Sequence, residues 1–459
     1  MKISALHFQH LSPTIFLQHS TNEKISEKRY DSTNIILSAA GLCAVGFCGA
    51  IMYKSFSKAE NNLLQNNLSE IDKSFYKKII KSLKKEGIEV NIEALKSIAA
   101  PDEFSALIRK FKPEHYRVGL QVSEAKAKNV PLEEFYKNAV NGDFRVSLHT
   151  HSNCSDGKSS PEEFLECARK YADKVAKLNK NDDLPPFTIA LTDHDCIDGC
   201  REIIKLIAKN PEKYKNVKFV SGCEFSVKNG DKHHDITGLA LNPFDSSLSK
   251  DLTDLYVARK QTVQNFLDKQ PEFNGKRITQ ADLIEFEKEY YKKKGKDGKH
   301  SIENGSGVVS VRHALKFFYK MTNQNPDKGK INYLGEKDIL PIEKVVNIIN
   351  NNGGYASLTH PLKSFWSYIG DDALLKLKNM GVKGIEVNHQ YTPSKITKIG
   401  EVNNNINDAD NIYNRLTEQY RIFAEHNDMF MSGGTDSHEK QIFSREPHIT
   451  QEFLNSKIL

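Results

Sequence analysis

Six short runs of β-forming residues in the C-terminal two thirds of the chain each stop at side chains able to bind a metal ion. FRVSL leads into His149-Thr150-His151, FTIAL into Thr192-Asp193-His194-Asp195, and VKFVS into Gly222-Cys223-Glu224. YASLT leads into His360-Pro361, GIEVN into His389, and MFMS into Gly433-Gly434-Thr435-Asp436-Ser437-His438. Helical stretches lie between several of these runs. Ser160-Pro161-Glu162-Glu163 is a capping box with Pro at the first helical position, followed by Phe164, Leu165, Ala168, Tyr171 and Ala172 on one face. Residues 341–352 read as another helix, ended by Gly353-Gly354. Strand–helix alternation predicts a parallel sheet or barrel. In a barrel, side chains at the C-terminal strand ends converge on one face.

The spacing within the runs has a physical reason. Side chains of an extended segment alternate, so His149 and His151 point to one side and can chelate one ion. Asp436 and His438 repeat that arrangement at the last strand. Zinc-finger spacing is absent, and so is any CxxC pair among the seven cysteines. An odd cysteine count in a chain of 459 residues argues against a disulfide framework and for a reducing compartment. Cys154, Cys196 and Cys223 stand beside the ligand candidates and read as small packing residues.

With 38% hydrophobic and 27% charged residues, the chain is not a disordered tail, a collagen-like fibre or a polytopic membrane protein. Its formal net charge of +6 fits an anionic substrate without demanding nucleic acid. Residues 1–33 form an N-terminal tail. Residues 34–53, NIILSAAGLCAVGFCGAIMY, carry no charge and are long enough to cross a membrane once, which predicts a single transmembrane helix. A buried small-residue helix or the apolar part of a signal peptide is the competing reading. Lys24, Lys28 and Arg29 precede the run while Lys54 and Lys58 follow it, so the flanks barely favour either orientation. Residues 54–143 read as a helical extension. Ile71, Phe75, Ile79, Ile80 and Leu83 fall near a 3.6 period, with Gly87 as a C-cap. No chemistry is legible there, and the expectation is a spacer or lid.

Taken together and in order, HTHSNCSDG, TDHD, GCEFS, THP and GGTDSH resemble the polymerase-and-histidinol-phosphatase (PHP) domain, in its stand-alone metal-dependent phosphoesterase type. The resemblance covers residues 145–440. It implies an α/β chain built as a distorted TIM-like (β/α)7 barrel, with an inserted mainly helical subdomain and a helical N-terminal extension. The barrel would comprise residues 144–242 and 341–459. Residues 243–340 would be the insertion, a substrate lid. Within it FEKEYYKKKGKDGKH is basic, with Tyr290-Tyr291. That composition suits either a contact with single-stranded nucleic acid or a solvated helix end.

The resemblance further implies two to three divalent ions, Mn, Zn or Fe. His149 and His151 would bind the first with Glu224 and Asp436. Glu224 would bridge to a second, also held by His360. Asp156, His194 and His438 would hold the third. Where the family usually has a His eleven residues after the bridging Glu, this chain has Asp235, preceded by His233 and His234. Asp235 could ligate directly, or a bulge could bring His234 inward. Lys363 stands where the family has an Arg that contacts substrate phosphate, and is otherwise an exposed solubilising residue. Arg312 and His313 resemble a signature that caps the site and binds a second phosphate. Asp193 and Asp195 flank His194 and are expected to orient ligands, and His389 to assist the leaving group.

The implied reaction is hydrolysis of nucleotide phosphate esters by a metal-bound hydroxide. The enzyme would be a nucleoside 3′,5′-bisphosphate phosphatase or a 5′–3′ exonuclease on short RNA. No serine near the motifs has a recognisable base arrangement beside it, which argues against a triad. A sugar-phosphate or histidinol-phosphate phosphatase is the alternative within the class. A membrane-tethered, non-catalytic binding module on a decayed barrel is the alternative outside it. The partner is thus a phosphorylated small molecule or short RNA, and no protein partner is inferred. The expected location is a membrane, by the N-terminal helix, with the catalytic part in the cytoplasm; the alternative is a soluble cytoplasmic protein.

Overall fold

The computed structural model describes residues 68–116, 145–178, 185–229, 232–270, 272–273, 275–292, parts of 314–320, 340–365, 367–389 and 409–438. All of these lie within one unit, Leu63–Leu459. Residues 34–53 fall outside them, and among the described residues no helix is long and apolar enough to cross a membrane.

Eight strands form one sheet: β1 (Val146–Ser147), β2 (Phe187–Leu191), β3 (Val217–Asn229), β4 (Lys232–Leu239), β5 (Leu340–Pro341), β6 (Tyr355–Leu358), β7 (Gly384–His389) and β8 (Phe430–Gly434). Seven run in the order β1-β2-β3-β4-β6-β7-β8, and the short β5 pairs with β3 beside that path. Beyond β1, Leu148 N donates to Gly433 O at 2.8 Å and Thr150 bridges Ser437, which nearly closes the ring. The fold is the distorted TIM-like barrel expected from the sequence.

One strand departs from the expected parallel order. β4 is antiparallel to both β3 and β6. β3 therefore does not end near Glu224 as anticipated. It leaves β2 after Ser221 and continues as one arm of a long hairpin with β4, from Gly222 to Asn229. Gly222 sits at the change of partner, where a Cβ would come within 2.9 Å of Gly238 O. Glu224 is consequently held mid-strand, with hydrogen-bonded backbone on both sides.

Helices return the chain between the parallel strands. After α1 (Glu70–Lys85), α2 (Ile92–Lys96) and α3 (Pro101–Ile108), which precede the barrel, α4 (Pro161–Leu178) follows β1 and α5 (Asp198–Lys209) follows β2. The capping box is present at the start of α4: Glu163 N donates to Ser160 Oγ at 3.1 Å, and Ser160 N to Glu163 Oε2 at 3.0 Å. A four-residue turn, α6 (Pro211–Tyr214), leads into β3. Between β4 and β5, α7 (Ser246–Asp268) and α8 (Gln280–Lys292) share a small core of their own, formed with Val263, Phe266, Leu267, Leu283, Phe317 and Phe318. FEKEYYK lies on α8, while 293–300 fall outside the described residues. The barrel resumes with α9 (Ile342–Asn351), α10 (Pro361–Phe365), α11 (Asp371–Asn379) and α12 (Ala409–His426).

The N-terminal helices, α1 (Glu70–Lys85), α2 (Ile92–Lys96) and α3 (Pro101–Ile108), are neither a spacer nor a lid. Phe75, Ile79 and Leu83 of α1 are buried in the main core with Ile203, Ile204 and Phe219. α3 sits under the N-terminal strand ends. Phe104, Leu107 and Ile108 pack with Val146, Leu148, Ala190, Val220 and Leu239 from inside the barrel. Tyr116, in the turn Pro113–Tyr116, donates its hydroxyl to Met431 O at 3.0 Å. The amphipathic stripe announced a buried face. Its partner is the main core, where it meets Ile203 and Ile204 of α5 and Phe219 of β3, while α3 covers the apolar side chains of the barrel floor.

Candidate metal centre

At the opposite end of the barrel, the strand termini bring imidazoles and carboxylates together. His149 and His151 project from the segment after β1, with their Nε2 atoms 3.1 Å apart. Each lies 3.2 Å from Glu224 Oε2. Asp436 Oδ1 lies 3.7 Å from His149 Nε2 and 3.3 Å from His151 Nε2. All four residues are buried. The closeness depends on Gly434, where a Cβ would stand 2.4 Å from His149 N. Asp436 is then fixed by its own N–H, which donates to His149 O at 3.0 Å.

A second group lies nearer the solvent. His438 Nε2 is 3.2 Å and His194 Nε2 3.9 Å from Asp156 Oδ2. The His151 ring is stacked between those of His194 and His438, with centroids 4.6 and 4.5 Å away. Glu224 joins the two groups, since His194 Nδ1 is 3.3 Å from Oε2. Its other oxygen, Oε1, faces His360 Nε2 at 3.1 Å.

The hairpin register places Asp235 rather than His234 on this side. Ser226 pairs with Asp235 and Glu224 with Thr237, so Asp235 and Glu224 share a face. His234 is on the other face, its ring 4.2 Å from that of Phe365. Asp235 Oδ2 is 3.9 Å from His360 Nε2, and Asp235 forms a further potential ligand group with His194 and Glu224. Lys363, on α10, reaches the centre too. Its Nζ is 3.2 Å from His360 Nε2 and 3.1 Å from Asp436 Oδ2. Arg312 and His313 lie outside the described residues.

Three backbone positions at the centre lie in the left-handed region: Asp195 at φ 47°, His360 at φ 27° and Asp436 at φ 48°. Such conformations cost about 1–3 kcal/mol for ordinary side chains and persist where the surroundings dictate them. Here they turn ligand-bearing segments abruptly into the barrel mouth.

A buried residue that sequence reasoning missed, Glu386 of β7, organises the inner side. His149 Nδ1 lies 3.1 Å from both of its oxygens, and His389 Nδ1 lies 3.2 Å from Oε1. The backbone N–H of His360 donates to Oε2 at 2.8 Å. Holding the proton of His149 on Nδ1 leaves the Nε2 lone pair facing the centre. The signal was a carboxylate inside the otherwise apolar run GIEVN. His389, expected to assist the leaving group, sits buried on Glu386, behind the His149 and His360 rings. Asp193 accepts from Ser152 N and Ser155 Oγ, both at 2.7 Å, and from Ser152 Oγ at 2.6 Å. It thereby fixes the loop that carries Asp156.

Substituting Glu386→Gln is expected to weaken metal binding about 10–100-fold, the usual cost of losing a hydrogen-bonded support behind a ligand. Equilibrium dialysis against a divalent ion measures it, and unchanged affinity would remove Glu386 from that role.

The electrostatics call for added positive charge. Burial works against protonating His149, yet the Glu386 and Glu224 carboxylates prevail and lift its pKa well above the ordinary imidazole value. Burial likewise opposes His151, which Asp436 and Glu224 push up to about 10. Burial would raise Glu224 and Asp436, but the imidazoles around them hold both well below the usual carboxylate range. Nδ1 of His151 and of His194 are buried without a hydrogen-bond partner. His149 Nε2, His151 Nε2 and Glu224 Oε2, converging at 3.1–3.2 Å, suit a divalent ion held by mixed imidazole and carboxylate donors. The residues present therefore fit bound metal. Among the described residues the cysteines are buried, and burial pushes the Cys196 and Cys223 thiols well up, away from thiolate ligands.

No family model matches the chain. A 3′,5′-nucleoside bisphosphate phosphatase of Chromobacterium violaceum is 31% identical over 114 residues, 25% of this chain and 34% of that protein. The match thus spans about a third of the relative's length. A protein of Bifidobacterium adolescentis assigned as a metal-dependent phosphoesterase is 17% identical, with a TM-score of 0.44 over 67% of this chain and 95% of that one. An amidohydrolase of Chromobacterium violaceum is 19% identical, with a TM-score of 0.43 over 65% of this chain and 90% of that one. A two-domain Bacteroides vulgatus protein containing a predicted PHP-like metal-dependent phosphoesterase is 12% identical, with a TM-score of 0.27 over 64% of this chain and 52% of that one. The chain is thus similar over a quarter of its length to a 3′,5′-nucleoside bisphosphate phosphatase, and its strand-end motifs, in order, resemble those of the PHP domain.

Proposed function

We propose that the chain is a metal-dependent phosphoesterase acting on nucleotides, with a nucleoside 3′,5′-bisphosphate as the leading substrate and 5′-end trimming of short RNA as the second. The observation that carries this reading is Glu224, one carboxylate facing His149, His151 and His194 through Oε2 and His360 through Oε1. The name of the relative supports the choice of substrate.

The ligands would be His149, His151, Glu224 and Asp436 for one ion, and Asp156, His194 and His438 for another. Asp235 and His360 stand beside Glu224 for a further one. Bound divalent ions supply Lewis acidity to a phosphoryl group and lower the pKa of water to about 7. The chain's own residues do the rest. Glu386 holds His149 in one tautomer, and His389 buttresses Glu386. Asp193 is a positioning residue that keeps the 152–156 loop in place. Lys363 presents a compact positive charge to an anionic ester. Arg312 and His313, with the 243–340 insertion, would cover the substrate. Residues 34–53 would anchor the chain in a membrane, supported by an uncharged run of spanning length. The odd number of cysteines without a CxxC pair supports a barrel facing the cytoplasm.

The test is metal content of the purified protein together with phosphate release from a nucleoside 3′,5′-bisphosphate in Mn²⁺. Bound metal with release is the expected result. Bound metal with release only from short RNA would move the substrate to RNA. A folded chain with neither metal nor turnover in Mn²⁺, Zn²⁺ or Fe²⁺ would overturn the reading.

A further inference from the structure

We propose that an open cleft in the barrel floor, lined by Lys96, Lys110, Lys215 and Lys218, is an anion site separate from the metal centre, and that it takes a small organic phosphate. This inference does not depend on the phosphoesterase reading.

The cleft has a volume of about 270 Å³, close to the lower end of the range of about 300–1,000 Å³ typical of small-molecule sites. It lies where β2 and β3 begin, with Pro186 and Val217 in its wall. Glu224 is seven residues further along β3, about 23 Å of extended chain away. A ligand that fills the cleft therefore does not reach the metal centre.

Four ammonium groups and one carboxylate, Glu103, line the cleft, an excess of three positive charges in a chain whose formal net charge is +6. They come from separate elements: Lys96 ends α2, Lys110 follows α3, Lys215 follows α6, and Lys218 is the second residue of β3. Cations at helix C-termini offset the helix dipole. α2 and α6, with five and four residues, carry little dipole to offset.

Lys218 is the buried part of the site, its side chain only 9% exposed. Its ammonium donates to Lys96 O at 2.6 Å and pairs with Glu103. An ammonium has three N–H donors, so one is left over among the described residues. Glu103 is divided between this ammonium and the Tyr76 hydroxyl, from which it accepts at 3.0 Å. Burial pulls the Lys218 pKa down, an effect that an anion in the cleft would oppose. Lys96 and Lys215 pair with exposed carboxylates one turn back, Glu93 at 2.9 Å and Glu212 at 3.4 Å. Such exposed pairs are weak, and an anion displaces them at little cost. Lys110 has no carboxylate partner among the described residues. Leu107, Pro186 and Val217 add an apolar wall, which suits the organic part of a phosphate ester better than a bare inorganic ion.

The probe is a nucleoside 5′-phosphonate, which has no ester bond to cleave, titrated by equilibrium dialysis into the metal-loaded full chain. Wild type is expected to bind one molecule more per chain than the Lys110→Glu/Lys215→Glu double variant. The reversal of two charges should weaken the floor site about tenfold or more. Binding at the metal centre is common to both chains and drops out of the difference, so failure of the phosphoesterase reading leaves the test unchanged. Both side chains are exposed, and circular dichroism verifies folding. Lys110→Glu alone, expected to weaken the site about threefold, replaces the double variant if that one does not fold. Lys250→Glu, an exposed charge reversal on α7, should leave the floor site intact. Equal binding by wild type and the double variant would overturn the inference. An equal loss in Lys250→Glu would overturn it too, by showing diffuse charge attraction. So would inorganic phosphate competing as well as the phosphonate, or saturation only by a short RNA or by vesicles of anionic lipid.

Discussion

Glu224→Gln is expected to strip metal from the chain and to reduce phosphate release by about 10²–10³-fold or more. The carboxylate is fully buried, and its two oxygens face four imidazoles at 3.1–3.3 Å. Gln keeps the shape but removes the charge and turns an N–H₂ toward nitrogens that must present lone pairs. Removing one partner from a buried charged cluster costs about 3–5 kcal/mol. At about 1.4 kcal/mol per decade, that is two to three decades or more in metal affinity. Metal content and turnover should fall together, and the protein should stay folded because the hairpin backbone around Glu224 is fully paired. Wild-type turnover in a metal-loaded variant would remove Glu224 from the centre of the mechanism.

Phe104→Ala should produce the largest loss of stability, about 3–5 kcal/mol. The ring is wholly buried. Its centroid lies 5.6 Å from that of Tyr355 and 6.2 Å from that of Phe430, the first residues of β6 and β8. Truncation would leave a cavity bounded by backbone of several strands, which cannot collapse into it. Urea unfolding measures the loss, and metal content of the folded fraction should be unchanged because the floor and the mouth are at opposite ends. A loss below about 1 kcal/mol would mean that α3 is an appendage rather than the closure of the barrel.

These expectations differ in how much of them could be read from the chain. The ligands at the strand ends were legible because an apolar β run followed by HxH or DxH leaves few alternatives, and the structure brings His149, His151, His194, Glu224, Asp436 and His438 together. Whether Asp235 or His234 turns inward was not legible. It depends on parity across the β3–β4 hairpin, and KHHDITGL is too polar to announce itself as a central antiparallel strand. Glu386 was hidden for a related reason: a single buried carboxylate means nothing until its partners His149, His389 and the His360 N–H are in view. The stripe on α1 declared a buried face without naming what it packs against, since periodicity encodes which side is dry and not which neighbour supplies the cover.

The plug under the barrel also bears on how the chain can be divided. The motif-bearing span, residues 145–440, carries the chemistry, yet it does not carry its own base. Phe104, Leu107, Ile108 and Tyr116 seal the N-terminal strand ends from outside that span. A cut after residue 116 would expose Val146, Leu148, Ala190 and Val220 to water, whereas a cut before Leu68 would leave the seal whole. The folding unit of this chain is therefore longer than its signature, and a truncation that respects only the signature would leave an open cylinder.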